Sequence, residues 1–462
     1  MDKEKNTKPL VNETPSKEVA RKPQKGEKVL EVRNLSVGFL SHGKKMSVIR
    51  NINLDVFQGE TLAIVGESGS GKSVFTKTFT GMLDANGFIS SGTIKFGDLN
   101  LHKLKTTKEW LGIRGKRIAT IFQDPMTSLN PLLTIGYQIE EVLMLHSKPT
   151  KAEKEAYKET LAKEKALSQE EQSSLKKERQ ELANKYKQEI YDEEVEYLYE
   201  GHPNFYQKWF AKLSAFRRAK IKASGKPHGM SRREATVEAI KLLTKVKIPQ
   251  PAQRVRDYPF QYSGGMRQRV VIAIALACHP EILICDEPTT ALDVTVQSQI
   301  LELIKELQVE YQWTTIFITH DLGVVANIAD RIAVMYGGQI IEYGTAEDIF
   351  YRPAHPYTWA LLSSLPQLGT KEEPLVYIKG NPPSFTSEII GDAFALRNDY
   401  AMRIDYVVEP PMFQISDTHF AKTWLLDKRA PKVTKPVIIE NLRERMKMAA
   451  KELKREVGGQ DA

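Results

Sequence analysis

Two glycine-rich stretches and a few polar residues at the ends of apolar runs are the residues here that could do chemistry. Gly66-Glu67-Ser68-Gly69-Ser70-Gly71-Lys72-Ser73 fits the pattern G-x-x-x-x-G-K-[ST], which wraps nucleotide phosphates. Phosphate binding needs close backbone approach, a cation and the positive end of a helix. Gly66, Gly69 and Gly71 permit that approach, with Ser68 and Ser70 completing the loop. Lys72 would reach the β- and γ-phosphates of ATP, and the Ser73 hydroxyl would bind Mg²⁺.

Four further residues stand where they could complete such a site. Asp286 ends the apolar run Ile282-Leu283-Ile284-Cys285, where it could hold Mg²⁺, and Glu287 could orient or deprotonate the attacking water. Read alone, they are two surface carboxylates at a strand end. Gln123 follows Ile118-Ala119-Thr120-Ile121-Phe122 and could join the Mg²⁺ shell. His320 ends Thr315-Ile316-Phe317-Ile318-Thr319 and could contact the γ-phosphate. Each of these two, alone, reads as an exposed polar residue. Phe39 either stacks on adenine or belongs to the core. The second glycine stretch is Ser263-Gly264-Gly265.

The elements that must position these residues are legible as apolar periodicity. Leu30–Leu35 and Ile52–Val56 alternate like half-buried strands. Thr61–Val65 is continuously apolar, as for a strand buried on both faces, and a helix starts near Lys72. Composition breaks after His146. Residues 150–200 read as two charged helices, with Ser168 and Glu171 spaced as a capping box. Phe205 to Lys222 follows as a basic amphipathic helix bearing Phe205, Trp209, Leu213 and Phe216 at 3–4 spacing. Residues 436–456 form a last charged helix.

Composition bounds the setting. The chain has 462 residues, 41% apolar and 27% charged, as in ordinary soluble proteins. The longest apolar candidate, Val270 to Cys278, is too short to span a membrane, and the N-terminal residues lack an export-type apolar region. The only cysteines, Cys278 and Cys285, fit a reducing cytoplasm. The formal charge of +8 sits on appendages: residues 1–28 carry about +3, 148–233 about +6 and 427–462 about +4. The remaining body is therefore about −5, which does not support a nucleic-acid footprint on it.

The ordered set resembles the ATP-binding cassette (ABC) ATPases over roughly residues 29–350, apart from one insertion. The resemblance implies an α/β P-loop NTPase core with a β-subdomain, a helical subdomain and a C-terminal extension. It makes Gly66–Ser73 the Walker A loop, Gln123 the Q-loop, and Tyr262–Met266 the signature. Ile282–Asp286 becomes the Walker B strand, Glu287 the catalytic carboxylate, Asp293 part of the D-loop and His320 the switch histidine. The signature usually begins with Leu and ends with Gln, whereas Tyr262 and Met266 stand here; its Ser-Gly-Gly centre is intact. It also implies that hydrolysis needs two subunits to close on each other, the Gly66 loop serving this chain's ATP and the Ser263 loop the partner's.

Three stretches are similar to the oligopeptide/dipeptide importer branch, closest to its D-type subunits from Gram-positive lactic bacteria: Gln123–Pro131, Ser263–Arg269 and His355–Trp359. Gly380–Pro383 and Gly391–Pro411 are similar to that branch's C-terminal extension. The implied role is the ATPase of a peptide importer, peripheral on the cytoplasmic face of the membrane. Implied partners are a related second ATPase, two permease subunits and an extracellular peptide-binding lipoprotein, with no nucleic acid. Another small solute (a dipeptide or nickel) is the alternative cargo, and a DNA-repair-type ATPase the alternative class. Many relatives hold an iron–sulfur cluster through cysteines in the extension. Asp392, Asn398, Asp405 and Thr423 stand in their places, so no cluster is expected.

The expected organisation is a disordered polar arm (1–28), a first core part (29–147), a charged helical insertion (148–230) and a helical subdomain with the signature (231–275). A second core part (276–350), the extension (351–430) and a charged C-terminal helix (431–462) complete it. The insertion is either a solvated charged hairpin or a surface, at Phe205–Lys222, that rests on the permease or the anionic inner leaflet.

Overall fold

A computed structural model describes residues 26–41, 43–290, 292–365 and 378–442. The arm expected over 1–28 and the charged helix expected over 436–456 lie largely outside them. The chain packs as two units, one from residues 25–129 and 263 onward, the other from 130–262.

In the first unit the strand-forming runs build two sheets. The antiparallel one has the order β2-β1-β4-β5, from β1 (Lys28–Ser41), β2 (Lys44–Phe57), β4 (Gly87–Phe96) and β5 (Leu99–Asn100). The larger sheet contains β3 (Thr61–Val65), β6 (Ile118–Ile121), β7 (Ile282–Asp286), β8 (Thr314–Thr319) and β9 (Arg331–Tyr336). It is completed by β10 (Gln339–Thr345), β11 (Phe413–Gln414) and β12 (Phe420–Ala421). Its order is β11-β12-β10-β9-β3-β8-β7-β6, parallel from β9 to β6 and antiparallel beyond. All of β3 and β8 is buried, and the only polar side chains they carry are threonines. Because β3, β8, β7 and β6 are neighbours running the same way, the residues that follow them meet along one sheet edge. That carboxyl edge is where open α/β sheets bind ligands.

One core lies between the two sheets, around Leu30, Ile52, Phe75, Phe79 and Ile316. A second covers the larger sheet with Tyr357, Trp359, Phe394 and Ile439 from the C-terminal region, whose β11–β12 hairpin also extends that sheet. The four positions expected to stand in place of cluster cysteines are buried there, each closing a turn. Asp392 Oδ1 accepts from Phe394 N (3.0 Å), Asn398 Oδ1 from Tyr400 N (3.0 Å), Asp405 Oδ2 from Met402 N (2.6 Å) and Thr423 Oγ1 from Leu425 N (3.3 Å). Such oxygens do not fit an iron–sulfur cluster, which thiolates hold.

The second unit is helical, with helices Ile135–His146, Lys151–Lys165, Gln169–Tyr199, Phe205–Ala223 and Arg232–Lys245. Ser168 and Glu171 close the capping box that their spacing predicts. Fully buried Glu194 ties three helices together, accepting from Arg218 Nη1 (2.5 Å), Ser214 Oγ (2.7 Å) and Arg233 Nε (2.7 Å).

The unit boundaries depart from the expected ones. Helix Ile135–His146 packs with helix Arg232–Lys245 and so belongs with the helical unit. The signature helix, Gly264–Leu276, packs on β6 and on helix Val294–Tyr311, and so belongs with the sheets.

Candidate functional site

The loop after β3 turns sharply under the first of its glycines. A Cβ on Gly66 would stand 2.1 Å from the Met335 carbonyl oxygen, so no larger residue fits. Gly71, at φ 98°, is the N-cap of helix Lys72–Thr80, a conformation that L side chains rarely adopt. Lys72 lies largely buried along the loop, its Nζ donating to the carbonyls of Gly66 (2.7 Å) and Glu67 (3.0 Å). Burial lowers its pKa, opposed by the charges of Glu287 and Asp286. Ser70 Oγ is buried without a hydrogen-bond partner.

The carboxylates follow β7. Ser73 Oγ donates to Asp286 Oδ1 at 3.0 Å, joining the phosphate loop to the strand end. Burial raises the Asp286 pKa and the neighbouring Glu287 charge adds to this, while the Ser73 hydrogen bond and Lys72 oppose it. A hydroxyl and a carboxylate side by side, in a site that disfavours two negative charges, fit a hard divalent cation.

Glu287 sits in the left-handed region at φ 48°, its N–H donating to the Ile318 carbonyl of β8 (3.0 Å). Such a conformation costs a non-glycine residue about 1 kcal/mol or more, and strain of this kind clusters at functional sites. Three groups converge on its side chain. Gln123 Nε2 donates to Oε2 (3.0 Å), Thr290 Oγ1 donates to Oε2 (3.2 Å), and His320 Nδ1 lies 3.3 Å from Oε1.

These residues open on a cavity of about 910 Å³ lined by Glu67, Ser68, Gly69, Gly71, Lys72, Ser73, Gln123, Glu287 and His320. Gly66 and Ser70 shape the loop from beneath, without lining the cavity. Phe39 does not reach it either. It is 9% exposed and packs in the core between the sheets, near Gly87, so the core reading of Phe39 replaces the adenine reading. The aromatic wall is Phe385, with Val48 and Ile378 beside it.

Ser263, Gly264 and Gly265 stand outside this cavity. Ser263 caps helix Gly264–Leu276, its Oγ accepting from Met266 N (3.4 Å). A Cβ on Gly265 would come within 2.5 Å of Val296, so that glycine serves close helix packing. Tyr262, at the place of the usual leucine, is buried and donates its hydroxyl to the Arg254 carbonyl (2.9 Å), which is how a polar tip is accommodated there. Asp293 caps helix Val294–Tyr311, its Oδ1 accepting from Val296 N (2.9 Å).

Two contributions escape sequence reasoning. Thr290 is reachable only through the turn after Pro288, whose geometry its residue type does not announce. Arg397 grips Glu67 of the phosphate loop through two bonds, Nη1 to Oε2 (2.6 Å) and Nη2 to Oε1 (3.0 Å). The Tyr336 hydroxyl accepts from Arg397 Nη1 (3.0 Å), and the Tyr357 hydroxyl accepts from the Glu67 N–H (2.8 Å). Despite burial, these partners raise the Arg397 pKa further.

Residues 49–290 match the family described as ABC transporter, and residues 341–404 match the one described as Oligopeptide/dipeptide transporter, C-terminal region. The oligopeptide transport ATP-binding protein AmiE of Streptococcus pneumoniae is 48% identical over 91% of this chain and 95% of its own. The dipeptide transport ATP-binding protein DppD of Lactococcus lactis is 45% identical over 88% and 94%. The oligopeptide transport ATP-binding protein OppD of Bacillus subtilis is 44% identical over 89% and 93%. The chain belongs to the ABC transporter family, in the branch of oligopeptide and dipeptide transport ATP-binding proteins.

Proposed function

We propose that this chain hydrolyses ATP to power the uptake of oligopeptides through a membrane permease. The observation that carries the proposal is Glu287, gathered by Gln123, Thr290 and His320 at the mouth of the phosphate-loop cavity. ATP would lie along Ser68–Ser73, with Lys72 released from the loop carbonyls to meet the terminal phosphates. Phe385 is the aromatic nearest to hand for the base. Mg²⁺ would be held by Ser73, Asp286 and Gln123, and when bound it neutralises charge on the phosphates. Glu287 orients and deprotonates the attacking water, and His320, 3.3 Å from it, holds that carboxylate toward the γ-phosphate.

Ser263–Gly265 would complete the site of a second, related ATPase subunit, which accounts for their standing outside this cavity. Each composite site would close on ATP and reopen after hydrolysis, moving two permease subunits fed by an extracellular peptide-binding lipoprotein. The chain would work at the cytoplasmic face of the membrane; among the described residues no helix is long and apolar enough to cross it.

The test is single-turnover hydrolysis by the purified complex. Glu287→Gln is expected to keep ATP binding and to lose hydrolysis at this site by at least about 100-fold. Undiminished hydrolysis at this site would refute the assignment.

A further inference from the structure

Helix Phe205–Ala223 presents the opposite of an ordinary amphipathic packing. Its buried stripe is alanine: Ala211, Ala215 and Ala219, four residues apart, face helix Gln169–Tyr199, with Ala215 and Ala219 packed around Ile190. Its large apolar residues point the other way. Phe205, Tyr206, Trp209, Phe210, Leu213 and Phe216 are 79%, 72%, 56%, 53%, 43% and 45% exposed. At roughly 100° per residue these six occupy one arc of about 140°, opposite the alanines. Trp209 and Phe210 meet edge to face with ring centroids 5.0 Å apart. An uncovered aromatic face of this size is rare on a soluble surface without a partner.

Charge says what covers it. Between Phe205 and Ala223 there is no acidic residue, while Lys208, Lys212, Arg217, Arg218, Lys220 and Lys222 are basic. Arg218 is taken by Glu194, but Lys212, Arg217 and Lys220 are exposed within or at the edge of the aromatic arc, and Lys220 Nζ lies 4.8 Å from the Phe216 ring centre. Aromatic rings ringed by exposed lysines match the boundary between acyl chains and anionic headgroups. A second copy of the same face would instead set like charges against each other.

We propose that this helix is a membrane-surface foot: its aromatic arc inserts at the headgroup boundary of an anionic leaflet, and its lysines bind the headgroups. The inference is independent of catalysis. It implies that the chain holds to anionic lipid without the permease.

The full chain, without permease, is floated with vesicles of phosphatidylcholine alone or with about one-third phosphatidylglycerol. Binding to the anionic vesicles is expected to exceed binding to neutral ones at least about fivefold, and to fall as salt is raised to about 0.5 M. Trp209→Ser/Phe210→Ser and Lys212→Glu/Lys220→Glu are each expected to lose that binding, with the helical circular-dichroism signal and ATP binding unchanged. Binding that is equal for both vesicle types, that survives both double substitutions, or that requires the permease would overturn the proposal. Because ATP binding is measured on the same samples, loss of lipid binding and loss of the nucleotide site are read separately.

Discussion

At the scale of single residues, the site is a set of short bonds converging on two acids. Thr290 donates to the same Glu287 oxygen as Gln123, so it positions the carboxylate. Thr290→Ala is expected to lower kcat about tenfold with KM for ATP nearly unchanged, since a misplaced base slows chemistry more than binding. Arg397 acts through Glu67, so Arg397→Ala should raise KM for ATP about fivefold and change kcat less. Combining it with Glu67→Gln should add little to either alone, as steady-state kinetics of the four proteins would reveal. Asp392 gives a pH signature. Burial, helped by the charge of Asp405, pushes its carboxyl up to about 6. The folded state therefore binds more protons than the unfolded one between about pH 4 and 6, and stability falls as pH rises through that window. Asp392→Asn is expected to raise the melting temperature at pH 7.5, by up to about 3 kcal/mol of stability, and to leave it unchanged below about pH 4.

At the scale of elements, sequence legibility followed burial. The runs at Thr61, Ile282 and Thr315 could be read as strands because both their faces are covered, so no polar residue interrupts them. Their chemistry-bearing residues sit at their carboxyl ends, which made the site legible with them. Phe39 failed for a related reason: an aromatic late in a strand has two apolar destinations, and only packing chooses between them. The stripe of Phe205, Trp209, Leu213 and Phe216 had the right period for a helix, but periodicity does not say which face finds a neighbour. Here the narrow alanine face wins because it lets two helices approach closely. The approach is locked by Glu194, a fully buried charge with three donors. Glu194→Ala would leave Arg218 with Glu234 alone and Arg233 with only the Tyr199 hydroxyl, and is expected to cost about 3 kcal/mol in urea unfolding of the helical unit.

At the scale of the whole molecule, the contact between Arg397 and Glu67 spans 330 positions of sequence, and no local pattern announces it. It links the region matching the oligopeptide and dipeptide transporters to a loop within the region matching the ABC transporter family. The branch-specific extension thus touches the general machinery at the residue beside the first glycine. A change in the extension has a direct route to ATP affinity through that pair. The central claim is that hydrolysis at Glu287 drives peptide uptake, and accumulation of a defined labelled peptide in proteoliposomes holding the complete transporter tests it most directly. With Glu287→Gln in this chain, the account predicts normal assembly, retained ATP binding and uptake reduced to background. Uptake at the wild-type rate would contradict it.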